Sequence, residues 1–225
     1  CIKKFMKYIK YFFQFIVIIF LFFIFKLIWY KKASNFGSLI GKYFGNFIRS
    51  DKIILKNISI INDASNIKIE NNKIVREIFS NYGRILSDYV YLRDFRNGVL
   101  NNFVNIEGME HLNNIKLKNK KVVFVSGHFN NFELMAMYLN QAGIKLSAIY
   151  RPLNNIFLNK VIEYLRINYV CKNQIKKGKS GTRELLNYLK KNFSVALMID
   201  QRVSEGIKSD FFGRPAFTTT IPAQI

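Results

Sequence analysis

Residues 12–25 are apolar at every position except Gln14, and beyond Lys26 the run resumes with Leu27, Ile28, Trp29 and Tyr30. A helix that is hydrophobic on all its faces belongs in the middle of a core or in a bilayer. A bilayer core takes about 20 helical residues, so residues 11–30 suffice once Lys26 extends its amine to the headgroups. Lys3, Lys4, Lys7 and Lys10 precede the run and Lys31 and Lys32 follow it, with Trp29 and Tyr30 where an aromatic belt would sit. A cleaved signal peptide, an in-plane amphipathic helix and a core helix compete with this reading. No small-residue cleavage pattern follows the run and no polar stripe interrupts it, so residues 1–32 are expected to form a basic flank and a single transmembrane helix. Positive charge at both ends leaves the orientation open.

Directly after this segment, Gly37, Gly41 and Gly45 repeat every fourth residue. The spacing bares one helix face for close approach of another helix, within the chain or in a second copy. Packing within the chain is the simpler reading, and Lys42 and Arg49 suggest a helix at the membrane surface. The remaining residues, 33–225, are enough for one sizeable core. A formal charge of +21 favours an anionic neighbour, which could be nucleic acid, lipid or an acidic protein. Part of that charge reflects a general richness in Lys, Asn and Ile. The aromatic residues concentrate in apolar stretches, and neither a stacking motif, a helix-turn-helix nor a zinc pattern appears, which argues against nucleic acid. Cys1 and Cys171 have no paired spacing, so neither a disulfide framework nor a metal site is indicated, and Cys171 reads as a buried, inert thiol.

Between residues 53 and 100, Ile74, Ile78, Tyr82, Ile85 and Tyr89 recur at helical spacing. Strand-like and helix-like runs then alternate: residues 121–126, 145–150 and 194–199 as strands, 131–141, 155–168 and 182–191 as helices. This implies an α/β fold with a largely parallel sheet flanked by helices, whose sites lie at the carboxyl ends of the strands. His128, Arg151 and Asp200 each fall just past a strand, which argues that they share a site. No nucleotide loop or Rossmann glycine pattern is present, so no cofactor is implied.

His128 and Glu133, with four residues between them in Gly127-His128-Phe129-Asn130-Asn131-Phe132-Glu133, are the minimal equipment for deprotonating a hydroxyl near neutral pH. Each has a plainer reading: a hydrogen-bonded core histidine, and the glutamate of a capping box closing on Asn130. Arg151 and Arg166 offer planar forks for phosphate or carboxylate, or else surface ion pairs. Asp200 and Gln201 either fix the site or touch substrate. Phe212 and Gly213 either wall an acyl pocket or serve packing and a turn.

These groups stand in a telling order. The segment at residues 106–112, the His128/Glu133 box, Tyr150-Arg151-Pro152-Leu153-Asn154-Asn155, Leu165-Arg166, Asp200-Gln201 and Phe211-Phe212-Gly213-Arg214-Pro215 together resemble the late acyltransferases of bacterial lipid A biosynthesis. The resemblance implies a glycerolipid-acyltransferase-like fold and a membrane-bound enzyme that moves a fatty acyl chain from acyl carrier protein to a hydroxyl of a lipid A precursor. It implies His128 and Glu133 as the catalytic dyad, with Arg151, Arg166, Asp200, Gln201, Phe212 and Gly213 around the substrate. It further implies the bacterial inner membrane, a single pass, a cytoplasmic catalytic domain, and contact with the anionic precursor and membrane lipids. An acyltransferase of another glycerolipid or glycolipid is the nearest alternative; a basic membrane-anchored nucleic-acid binder and an inactive scaffold are the others. Members of that family continue past the position of Ile225, so the domain is expected to be incomplete at its C-terminus. Acyl length, donor, acceptor, oligomeric state and oxyanion donors are not encoded in these motifs.

Overall fold

The computed structural model describes residues 2–65, 70–201, 203 and 206–225. The described elements are α1 (Ile2–Leu27), α2 (Tyr30–Ile48), α3 (Lys52–Ala64), α4 (Asn71–Asp88), α5 (Leu92–Arg96), α6 (Met109–Leu117), β1 (Val123–Ser126), α7 (Glu133–Gln141) and β2 (Leu146–Tyr150). They continue with α8 (Ile156–Leu165), which passes into a π-helical turn (Arg166–Val170), then β3 (Asn173–Lys176), α9 (Lys179–Lys190), β4 (Ser194–Met198), β5 (Ile207–Phe211), β6 (Arg214–Thr218) and α10 (Ile221–Gln224). The chain divides into two compact units, one of Cys1–Leu21, Tyr91–Gln201 and Ile221–Ile225, the other of Phe22–Val90 and Arg202–Thr220.

Within α1, Lys4–Leu27 is the one segment among the described residues long and apolar enough to cross a membrane. Its 24 residues reach about 36 Å at 1.5 Å each, more than the roughly 30 Å hydrocarbon core. Phe13, Val17, Phe20 and Phe23 are all exposed.

In the first unit, four strands form a fully parallel sheet in the order β1-β4-β2-β3. This is the expected α/β class, a largely parallel sheet with flanking helices. Ile175, Leu185, Leu189, Val195 and Leu197 close one core between α9 and the sheet, with Val123, Ile149, Ile221 and Ile225 packed against it. The alternation along β4 puts Val195 and Leu197 on that face. Asn155 caps α8 by accepting from the N–H groups of Phe157 and Leu158, both at 3.1 Å, and its amide donates to the Tyr11 carbonyl at 2.8 Å. Phe157 also meets the rings of Phe12 and Phe15. The N-terminal part of α1 is thereby seated on α8.

The second unit is built around α2 and α4. Gly37 and Gly41 lie against the backbone of Gly83 and Phe79, so closely that a Cβ on Gly83 would run into the Gly37 carbonyl. Ser38 and Ser80 share a buried hydrogen bond of 2.7 Å, and the Arg84 guanidinium donates to Ser34 and Asn35 at 3.2 and 2.9 Å. The glycine series is thus spent on packing inside the chain. On α4 the buried stripe is Val75, Phe79, Gly83 and Ser87, while Tyr82 is exposed. Small residues that allow contact with α2 choose the face, and this shifts it one residue from the large apolar positions that the sequence suggests. Ile58 of α3 completes a small core with Val75 and Phe79.

Candidate active site

Strands β1 and β4 are neighbours in register, Ser126 opposite Met198, and the Ile199 N–H donates to the Ser126 carbonyl at 2.9 Å. Two residues further along each strand come His128 and Asp200. The parallel register therefore brings them face to face across 72 residues of sequence. Asp200 holds His128 twice: Oδ2 accepts from the His128 backbone N–H at 2.6 Å, and Oδ1 lies 2.7 Å from the ring Nδ1. A Cβ on Gly127 would stand 3.2 Å from Oδ2 and 2.8 Å from the Phe129 ring, so the bare backbone there leaves room for the carboxylate.

Burial pushes the Asp200 carboxyl up, but the two hydrogen bonds from His128 and the charge of its ring outweigh this and hold it below the ordinary carboxylate range. An ionised Asp200 can only accept, so Nδ1 carries a proton, and when the ring is neutral Nε2 is the accepting nitrogen. The Gln201 side-chain nitrogen sits 3.1 Å from Nε2 and donates to it. Phe132 packs edge-on against the imidazole with ring centres 4.7 Å apart. The His128 side chain is 30 % exposed.

Glu133 is elsewhere. It opens α7, buried, and its Oε1 accepts from Nε and Nη2 of Arg166 at 2.8 and 2.6 Å. The hydrogen-bond partners of His128 among the described residues are Asp200 and Gln201, so the carboxylate beside the imidazole is Asp200. The expected Asn130 cap is also absent: Asn130 has φ 41°, and α7 begins after Phe132 with no side-chain cap. Arg166 starts the π-helical turn, a local widening frequent at functional sites. Its guanidinium also lies 5.6 Å from the centre of the Tyr150 ring. The arginine expected on the polar wall of the site is thus a buried partner of Glu133.

Arg151 follows β2 directly, two strand spacings or about 10 Å from β1. It is exposed and, among the described residues, makes neither a hydrogen bond nor an ion pair. Phe212 and Gly213 belong to the second unit, where they form the turn between β5 and β6. Their φ values of 54° and 69° are those of a two-residue type I′ hairpin, which accounts for the glycine.

A third cluster joins Tyr150 of one motif to Glu163 and Lys176, which lie outside the motifs. The Tyr150 hydroxyl donates to Glu163, which also faces Lys176 at 3.3 Å. Burial raises the Glu163 carboxyl, yet hydrogen bonds from Tyr150, Asn159 and Lys176 bring it below its ordinary value. Cys171 is buried and its thiol pushed up by that burial, as an inert thiol should be. His111 is exposed beside Glu110. The one sequence signal for the histidine–aspartate pair was positional: both residues stand two places beyond the ends of strands.

The family model described as bacterial lipid A biosynthesis acyltransferase matches residues 2–225, nearly the whole chain. No curated protein matches it.

Proposed function

The chain belongs to the bacterial lipid A biosynthesis acyltransferase family, and from that premise we propose that it transfers a fatty acyl chain from acyl carrier protein to a hydroxyl of a lipid A precursor, with His128 as the general base. The observation that carries this reading is the 2.7 Å contact between His128 Nδ1 and an ionised Asp200, which leaves Nε2 as the accepting nitrogen, met by the Gln201 amide, at the end of a strand. The substrate hydroxyl displaces the Gln201 amide from Nε2 and gives up its proton as its oxygen attacks the thioester carbonyl. Asp200 stabilises the imidazolium so formed. The tetrahedral intermediate then expels the thiolate, which takes the proton back from Nε2. Backbone N–H groups at the start of α7 are the candidate oxyanion donors.

In this reading Glu133 acts through Arg166, and the pair fixes the start of α7 behind the base. Arg151, with its fork unengaged, takes a phosphate of the precursor or donor. Phe212 and Gly213 are kept as an acyl-contact hypothesis on the motif alone. The exposed apolar surface of Lys4–Leu27 supports a single membrane span, with the catalytic unit on the cytoplasmic side of the inner membrane. Mass spectrometry of lipid A from cells with and without the gene tests the function: the reading requires a species one acyl chain lighter when the gene is lost. An unchanged lipid A profile would move the chain to another glycerolipid or glycolipid acceptor.

A further inference from the structure

Helix α2 has three faces. Gly37, Gly41 and Gly45 form the face pressed on α4. Phe36, Ile40, Tyr43 and Phe47, at i, i+4, i+7 and i+11, form a second: Ile40 is half-buried and Phe36 exposed, while Tyr43 is 65 % and Phe47 86 % exposed. Lys31 and Lys42, at i and i+11, form the third, interleaved with Asn35 and Asn46, and Arg49 follows as the extended C-cap of the helix.

An apolar stripe beside a basic one is the pattern of a helix lying in a membrane interface. A protein without such a neighbour rarely leaves aromatic side chains this exposed in one row. What covers the stripe is indicated by its continuity with α1. Only Ile28 and Trp29 separate α1 from α2, and at the junction Phe25 of α1 packs edge-on against Phe36, ring centres 6.0 Å apart. Phe23 and Leu27, exposed at the end of α1 in this same unit, thus stand a short stretch of chain before the Phe36–Phe47 stripe. Lys31, Lys42 and Arg49 are placed to reach anionic headgroups, and Trp29 and Tyr43 suit the depth between headgroup and acyl chain.

We propose that α2 lies in the plane of the membrane as a second anchor, its Phe36–Phe47 stripe in the acyl-chain boundary of an anionic bilayer and its lysines at the phosphates. The inference rests on the reading of Lys4–Leu27 as a span, and the test separates the two. The full-length chain, with Cys1 replaced by serine and the buried Cys171 left in place, carries one environment-sensitive label at a time through Val17→Cys, Tyr43→Cys, Phe47→Cys, Lys31→Cys or Arg49→Cys. Each is reconstituted into phosphatidylethanolamine–phosphatidylglycerol vesicles with and without brominated acyl chains. Labels at positions 43 and 47 should lose most of their fluorescence to bromine, and those at 31 and 49 little. Bright labels at 43 and 47 beside a quenched label at 17 would overturn the proposal, and would mean that a protein or a second copy covers the stripe while the span stands. Equal quenching at all four α2 positions would also overturn it, since α2 would then cross the bilayer. A bright label at 17 beside quenched labels at 43 and 47 would remove the span and keep α2 as an in-plane anchor, whereas bright labels at 17, 43 and 47 would overturn both readings.

Discussion

Replacing Glu133 by glutamine keeps the shape of a buried side chain and removes its charge. Glu133 and Arg166 have side chains only 8 % and 10 % exposed and approach to 2.6 Å, so water screens the pair little. At an effective dielectric of about 20, two unit charges with centres about 4 Å apart attract by about 4 kcal/mol. Breaking such a pair while its other half stays charged and buried costs about 3–5 kcal/mol. For a chain of this size each kcal/mol is worth about 2–4 °C, which gives a fall in Tm of roughly 6–20 °C for Glu133→Gln in detergent. Adding Arg166→Met to that variant removes the stranded cation and should return most of the lost stability, because an apolar pair of similar volume is often neutral or better. Thermal unfolding of the wild type, the single and the double variant measures all three. A Glu133→Gln protein that unfolds within about 2 °C of wild type yet has lost transfer would refute this reasoning. Glu133 would then act on the chemistry itself, as the partner of His128 that its spacing first suggested.

Three further outcomes follow from the geometry. Arg151→Lys and Arg151→Ala should leave Tm unchanged, since Arg151 is exposed, but lower kcat/KM by about tenfold or more, the worth of one charge-assisted hydrogen bond of about 1.5 kcal/mol; wild-type kinetics in both variants would remove Arg151 from the site. Gly83→Ala drives a methyl group into the Gly37 carbonyl and should cost about 1–3 kcal/mol by overpacking, read as a Tm loss of roughly 2–12 °C. Because the folded-state pKa of Asp200 lies below the ordinary value, its contribution to stability is present above about pH 4 and is lost as pH falls through the lowered value. Unfolding curves of wild type and Asp200→Asn should therefore differ at neutral pH and converge in acid; a constant gap would contradict the pairing with His128.

The parallel α/β class was legible because β1, β2 and β4 are short apolar runs separated by helix-length segments. Strand β3 was not: Asn173-Gln174-Ile175-Lys176 carries one large apolar residue, and it is a strand because it pairs with β2 at the sheet edge. At Phe212-Gly213 the sequence offered both an acyl wall and a turn; the flanking strands β5 and β6 that make it a hairpin turn were not legible. At the site, the local spacing of His128 and Glu133 suggested a dyad that the fold divides between two partners. Sequence distance is visible along the chain, but the register of β1 against β4 is not, and that register delivers Asp200 to the imidazole. Arg166 was singled out by its motif, but its burial against Glu133 was not legible, since the turn that carries it inward is π-helical.

The central claim is that His128 removes the hydroxyl proton with Asp200 holding its ring, and one measurement addresses it most directly: transfer of a labelled acyl chain from acyl carrier protein to a purified lipid A precursor by folded wild-type, Asp200→Asn and His128→Ala proteins. Asparagine keeps the shape of Asp200 but can no longer favour the Nδ1–H tautomer or the imidazolium. The account predicts transfer by the wild type, and a loss of roughly 10²–10⁴-fold for Asp200→Asn, close to that for His128→Ala. Near-normal transfer by Asp200→Asn alongside an inactive His128→Ala would contradict it.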